Sequence, residues 1–332
     1  MHVTLAKRTF PALVLLLGSA SAFAIDTSRP EVQQFINRMV DEHSYDRDTL
    51  ESVLQDAESK ESILEAISRP AERTLEWHEY RDIFLTRERI AAGAAFWQEH
   101  EAELSRISEE TGVSIEMLVG IIGVETYFGR ITGSYRVLDA LSTLAFDYPP
   151  RSRFFTSELE QFLLLVREEG MEAADATGSY AGAMGRPQFM PSSYRAYAVD
   201  STDDGKRDIW TNWSDVIGSV ANYFVRHGWQ ADKQVVAPAT LGAQWQGETP
   251  ENQLKAEETV TSLSHQGAMF STELAGEEPA QLITLTGEDG KEYWVGFHNF
   301  FVITRYNRSV MYALAVHQLG QEIALEVNDS AR

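Results

Sequence analysis

Gly123-Val124-Glu125-Thr126-Tyr127-Phe128-Gly129 closes an apolar helical run with a single acid. Upstream lie Ile115, Leu118, Val119 and Ile122, at the spacing of one helical face. Glu125 comes three residues after Ile122 and seven after Leu118, so it shares that face. A carboxyl turned towards an apolar interior is penalised when it ionises, which raises its pKa and keeps it protonated near neutral pH. That is the requirement for a general acid. The same spacing also suits a glutamate on the solvated rim of the stripe, and this helix alone does not choose between the two. Ser114 stands where an N-cap belongs.

Composition limits the classes of function. The 332 residues carry 50 acidic and 28 basic side chains, for a formal net charge of −22, and no cysteine. Such a surface repels phosphate backbones and anionic lipid, so neither nucleic acid nor a lipid surface is an expected partner. Lys7 and Arg8, the apolar run Pro11 to Leu17 and the small-x-small triplet Ala22-Phe23-Ala24 read as a signal peptide cleaved after Ala24. Its loss makes the chain two charges more negative. With no cysteine there is no lipidation site and no disulfide framework, and no later segment has the length of a membrane span. The expectation is an exported periplasmic protein that is not a lipoprotein and has no membrane anchor.

Residues 26 to about 110 read as charge-rich helices, with stripes at Phe35, Ile36, Met39 and Val40 and at Val53, Leu54, Ile63, Leu64 and Ile67, ended by Pro70. Trp77, Tyr80, Ile83, Phe84, Ile90, Phe96 and Trp97 follow at helical spacing and read as core. Another helix over 154–168 stops at Gly170, and one through Ile217, Val220, Tyr223 and Phe224 ends at His227-Gly228. Residues 176–193, rich in Gly, Ala, Ser and Pro, form a tight segment that exposes its backbone. Between about 234 and 300 the pattern is strand-like, with Leu282 to Leu285 and Tyr293 to Phe297 around a Glu288-Asp289-Gly290 turn. A last helix carries Val310, Leu314, Ala315 and Leu319. The fold class is α+β, mainly helical.

Several segments together resemble the lytic transglycosylase B family, bacterial enzymes with a lysozyme-like core that cut peptidoglycan. They are Gly120 to Thr126 with Gly129, Leu138 to Pro149, Gly178 to Gly185 with Pro187 to Tyr194, Ile217 to Phe224 with His227-Gly228-Trp229, and Arg305-Tyr306-Asn307 ahead of Tyr312. The resemblance implies a signal peptide at 1–24, a helical domain at 25–105, a lysozyme-like catalytic core at 106–233, a small β-rich domain at 234–298 and a segment at 299–332 that returns to the core. It also implies that Glu125 is the only catalytic acid/base, whereas glycosidases usually pair two carboxylates. The N-acetylmuramic acid acetamido group attacks C1 while Glu125 protonates the glycosidic oxygen. Glu125 then takes the 6-hydroxyl proton, closing a 1,6-anhydro ring without water. Asp139 and Asp147 are the second carboxylates that a hydrolytic muramidase would use; both stand beside turns or helix ends, where capping or ion pairing also places an acid.

Further cleft positions follow from the same resemblance. Ser179 orients the acetamido group, and Gln188 donates to and accepts from the sugars. Tyr223, Tyr306 and Tyr312 offer ring faces with polar tips. Asn307 is either a substrate contact or the N-cap of the last helix. Arg151 binds a stem-peptide carboxylate, although Pro150 stands where family members often carry a second basic residue, and a solvated Arg fits as well. The loop Asp200 to Thr211 is similar to an EF-hand: Asp200, Thr202 and Asp204 hold positions 1, 3 and 5, Gly205 the turn, the Lys206 carbonyl position 7 and Asp208 position 9. Thr211 replaces the bidentate acid, so this is either an Asp/Gly-rich turn or a weak, structural calcium site. The chemistry itself requires no cofactor. The expected partners are peptidoglycan glycan strands, together with proteins of cell-wall synthesis or remodelling; a non-catalytic peptidoglycan-binding protein is the remaining reading.

Overall fold

From the N-terminus, β1 (Ala22–Ala24) leads into α1 (Pro30–His43), α2 (Arg47–Asp56), β2 (Glu58–Lys60), α3 (Glu61–Ser68), α4 (Trp77–Phe84), α5 (Arg87–Glu99) and α6 (Glu101–Thr111). The central stretch holds α7 (Ile115–Thr126), β3 (Tyr135–Arg136), α8 (Val137–Asp147), α9 (Ser152–Glu169), β4 (Thr177–Gly178), α10 (Pro191–Tyr197) and α11 (Trp213–Arg226). A sheet unit follows, with β5 (Val236–Leu241), β6 (Glu258–Thr259), α12 (Val260–Gln266), β7 (Ala268–Phe270), β8 (Pro279–Gly287) and β9 (Gly290–Phe297), and then α13 (His298–Tyr306) and α14 (Val310–Ser330). This computed structural model describes residues 22–69, 75–245, 249 and 251–330. Most of the signal segment and the helix terminator Pro70 therefore lie outside the described residues.

The helix boundaries follow local chemistry. The Asp46 carboxylate accepts the Thr49 amide at 2.8 Å, Thr86 caps α5, and Asn212 accepts two amides at the start of α11. Gly112 and Gly170 take left-handed conformations past α6 and α9, where a glycine costs least. Ser114 does occupy the N-cap position of α7, but its side chain makes no capping bond. Four helices escaped the sequence reading: α8, α10, α12 inside the strand-like region, and α13, which follows β9 directly at His298.

One apolar cluster runs from Ile25 through the central helices to Ile323, so the N-terminal helices and α14 share a core with α7. A smaller cluster of Ala237, Val260, Leu263, Ala280, Leu282, Val295 and Phe297 fills the sheet unit. Its five strands lie antiparallel in the order β6-β8-β9-β5-β7, and the β8–β9 hairpin pairs Gly287 with Gly290 around the expected turn.

The acid-bearing helix departs from its expected stripe. Residues 117 to 123 of α7 are all buried, so it is wrapped on every side rather than amphipathic. It crosses α14 at glycines. A Cβ on Gly120 would stand 2.4 Å from the Val316 carbonyl oxygen, and one on Gly320 would stand 2.1 Å from that of Glu116. The two backbones are thus in direct contact, in a reciprocal pair.

Candidate active site

Glu125 emerges where α7 ends. Tyr127 and Phe128 follow with φ of 51° and 57°, a left-handed conformation that non-glycine residues seldom adopt and that clusters at functional sites. The turn holds because the Thr126 hydroxyl accepts the Gly129 amide at 3.1 Å and donates to the Arg186 carbonyl at 3.0 Å. This second bond fastens the end of α7 to the loop that carries Gln188, itself at φ 53°.

The Glu125 side chain is half-buried. Burial pushes its pKa up to about 7, against the opposing effect of the Tyr312 hydroxyl, which donates to Oε1 at 2.5 Å. At neutral pH the group is therefore divided between acid and carboxylate. Tyrosines surround it. Burial and the Glu125 charge push Tyr80 up to about 12 and hold Tyr306 and Tyr312 well above the ordinary phenol value. Tyr80, on α4, was read from sequence only as core, because ordinary helical spacing accounts for it.

The other expected residues divide. Tyr312 is buried and serves the acid itself, not a sugar face. Tyr306 is half-buried, with its hydroxyl on the Pro187 carbonyl at 2.7 Å, so its ring stands between α13 and the Gln188 loop. Tyr223 is buried, gives its hydroxyl to the Arg305 carbonyl at 2.6 Å and packs 4.7 Å from the Tyr306 ring, which makes it a support behind that ring. Gln188 spends its amide on the Thr132 and Gly185 carbonyls at 3.0 and 2.8 Å, which leaves Oε1 as an acceptor. Ser179 Oγ accepts the Ala181 and Ala183 amides at 3.3 and 3.1 Å, so its own proton remains to be donated. Asn307 is exposed beyond the end of α13; the cap of α14 belongs to Ser309, whose hydroxyl accepts the Tyr312 amide at 3.3 Å. Arg151 is exposed, as the solvated alternative has it. Its guanidinium lies 4.5 Å from the Phe154 ring centroid.

The two competing carboxylates are committed elsewhere. Asp139 is fully buried, with Lys60 Nζ at 2.8 Å and Arg136 at 3.3 Å, and it accepts the Glu58 amide at 3.0 Å. Asp147 pairs with Arg29 at 2.7 Å and accepts the Ser59 hydroxyl at 2.6 Å. Both tie β2 to α8, and Asp147 also ties in Arg29 at the start of α1.

In the 200–215 loop, Asp200 accepts the Thr202, Asp204 and Gly205 amides at 3.2, 3.2 and 2.7 Å. Partial burial raises its pKa, but those amides outweigh the effect and hold it below the usual carboxylate range. The oxygens of Asp208, the expected position-9 ligand, accept the Trp210 and Thr211 amides and the Thr211 hydroxyl. The sequence reading overlooked Asp215, which is buried on α11 and accepts the Ser201 and Asp208 amides at 2.8 and 2.9 Å. Burial pushes its pKa up, and the charges of Asp200 and Asp204 add to that. Among the described residues no group of three or more His, Cys, Asp or Glu is arranged to hold a metal. Even so, the oxygen donors and this mutual repulsion fit a hard cation.

A lone, pKa-raised glutamate at the end of a buried helix in a mainly helical α+β fold defines a lysozyme-like glycan-cleaving class. The comparisons place the chain within it: it belongs to the transglycosylase SLT-domain family, whose model matches residues 27–321. It is 42% identical over 309 residues to membrane-bound lytic murein transglycosylase B of Escherichia coli, covering 90% of this chain and 84% of that protein. The crystal structure of soluble lytic transglycosylase SltB1 from Pseudomonas aeruginosa matches with a TM-score of 0.86 at 48% identity, covering 90% of this chain and 99% of that one. Escherichia coli Slt35 in complex with calcium matches with a TM-score of 0.81 at 42% identity (90% and 94% covered), and Pseudomonas aeruginosa SltB3 in complex with NAG-NAM-pentapeptide with 0.77 at 27% identity (89% and 79% covered). Among the described residues no helix is long and apolar enough to cross a membrane.

Proposed function

We propose that this chain is a lytic murein transglycosylase that cleaves the β-1,4 bond between N-acetylmuramic acid and N-acetylglucosamine and leaves 1,6-anhydro ends. The observation that carries the reading is Glu125 at a pKa of about 7, anchored by Tyr312, while Asp139 and Asp147 are held in ion pairs elsewhere. Tyr312 occupies Oε1, so the transferable proton sits on Oε2. Glu125 gives that proton to the glycosidic oxygen as the muramic acetamido oxygen closes on C1, and the Ser179 hydroxyl donates to the acetamido group and steadies its developing charge. The Glu125 carboxylate then takes the 6-hydroxyl proton, and the 6-oxygen displaces the acetamido from C1. Acid and base are one residue, which a pKa near the working pH allows.

Tyr306, backed by Tyr223, presents its ring to the glycan, while Gln188 Oε1, Asn307 and Arg151 are the outlying contacts. Calcium, where present, is held by Asp200, Thr202, Asp204 and the Lys206 carbonyl above Asp215, and it braces the loop without entering the reaction. Export with loss of residues 1–24 places the enzyme in the periplasm. The helical domain at 25–105, core at 106–233, β-rich domain at 234–298 and returning segment at 299–332 remain our division; the separate apolar cluster of the sheet unit supports its middle boundary. Digestion of purified sacculi by wild type and Glu125→Gln, followed by mass analysis, tests the reading. Wild type must give ends lighter by one water and the variant none. Reducing muramic acid ends alone would make the protein a hydrolytic muramidase, and an unchanged effect of the variant on sacculi would make it a binding protein.

A further inference from the structure

A cavity of about 490 Å³ opens between the sheet unit and the connection from α13 to α14, and its lining includes Asn252, Leu254, Lys255, Arg305 and Arg308. Its charged lining is wholly basic, in a chain with 50 acidic and 28 basic side chains. Lys255 is already paired, with Glu257 at 2.6 Å. Arg305 and Arg308 are exposed, and among the described residues neither has an acidic partner within 4.0 Å. In so acidic a protein, two neighbouring guanidinium groups left unneutralised in one pocket mark a place for an anion, and their fork suits a carboxylate.

The walls are fixed before any ligand arrives. Asn252 exchanges two bonds of 2.8 Å with the Thr284 backbone, which pins its loop to β8. The Arg305 carbonyl accepts the Tyr223 hydroxyl, and Ser309 caps α14 just beyond Arg308. The location matters as much. Arg305 and Arg308 flank Tyr306-Asn307 in the chain, and the Tyr306 hydroxyl donates to the Pro187 carbonyl at 2.7 Å, next to Gln188.

We propose that Arg305 and Arg308 form a carboxylate-binding subsite that takes the peptide of a peptide-bearing glycan strand. The proposal rests on the transglycosylase reading above, since a peptide attached to muramic acid brings its free carboxylates close to the cleaved bond. Arg151, stacked on Phe154, is not needed for this grip.

The test uses the full chain and soluble peptide-bearing strands, either native or with their carboxylates converted to amides. In Arg308→Gln and in the Arg305→Gln/Arg308→Gln double variant, KM for native strands rises on the order of tenfold, the equivalent of about 1.4 kcal/mol, while kcat holds within about twofold. Amidated strands give one high KM for all forms, and Arg308→Lys recovers part of the loss on native strands. Equal KM for native and amidated strands in wild type overturns the subsite, as does an equal loss on both substrates in the variants. Equilibrium binding of both strand types in a Glu125→Gln background separates the two readings. Carboxylate-dependent binding without anhydro products from wild type sinks the transglycosylase reading and keeps the subsite; anhydro products with charge-blind binding do the reverse.

Discussion

The Tyr312 hydroxyl donates to Glu125 Oε1 at 2.5 Å across 187 positions of sequence. It stabilises the ionised carboxylate, while burial, the larger effect, disfavours it, and the balance leaves the acid near pH 7. In Tyr312→Phe the lowering influence is lost and the pKa rises further. The high-pH limb of the rate profile moves to higher pH, and kcat falls about ten- to a hundredfold because the acid loses its aim. A pH–rate profile of the purified variant checks this; an unmoved limb would separate Tyr312 from the acid's tuning.

Glu125→Gln carries a second signature, in stability. A carboxyl whose folded pKa is about 7 against an ordinary value of 4.5 holds more proton in the folded state between those values. Its burial therefore costs the wild type progressively more stability as pH rises from about 4.5 to 7, and the full cost applies above that. Gln carries no such cost. The melting temperature of the variant relative to wild type should climb across this window and then level off. A flat difference from pH 4 to 8 would contradict the raised pKa.

Asp139 should matter to stability and not to chemistry. Asp139→Asn leaves Lys60 and Arg136 facing a neutral amide at a buried position, for a loss of about 1–3 kcal/mol after allowance for the partial exposure of both cations. Urea midpoints read the loss, and turnover per folded molecule stays near wild type. A hydrolase using Asp139 as its second carboxylate would instead lose turnover with little change in midpoint.

Calcium is expected to raise the melting temperature. At ten times its dissociation constant it contributes about 1.4 kcal/mol, and chelation returns the chain to its starting stability. Asp204→Ala should abolish that response without lowering turnover at a temperature where both forms are folded. A calcium effect on turnover that survives Asp204→Ala would place the ion elsewhere.

Gly120→Ala tests the helix crossing. The added methyl meets the Val316 carbonyl at 2.4 Å, and backbone cannot step aside as a side-chain tip can. The expected cost is about 1–3 kcal/mol, with α14 displaced and the Tyr312–Glu125 bond weakened. Turnover should fall while the pH limb shifts in the same direction as in Tyr312→Phe.

The sequence was most readable where one local pattern carried the answer. Glu125 at the close of its apolar run, the Gly170 stop and the β8–β9 hairpin all follow from spacing and turn residues within a few positions. The environment of the acid was harder to see, because Tyr80, Tyr306 and Tyr312 arrive from three separate helices and only the last two stood inside a motif. The roles of Tyr223 and Gln188 changed for a related reason: a motif names a residue but not the direction of its hydrogen bonds, and both point into the backbone. Asp208 accepts turn amides where the loop pattern reserves a ligand, and Asp215 went unread because it lies outside that pattern. Arg305 stood inside a motif and Arg308 beside it, but neither could be read there as an unpaired cation, which is recognisable only once its neighbours are known.

The reciprocal contact of Gly120 with Val316 and of Gly320 with Glu116 also orders events in time. The helix bearing the acid is made early, whereas the helix bearing its tyrosine is the last element of the described chain. A polypeptide emerging from the ribosome holds Glu125 before Tyr312, and so lacks a finished catalyst. Wall-cutting competence appears only once α14 folds back across α7 and brings Tyr312 to the acid.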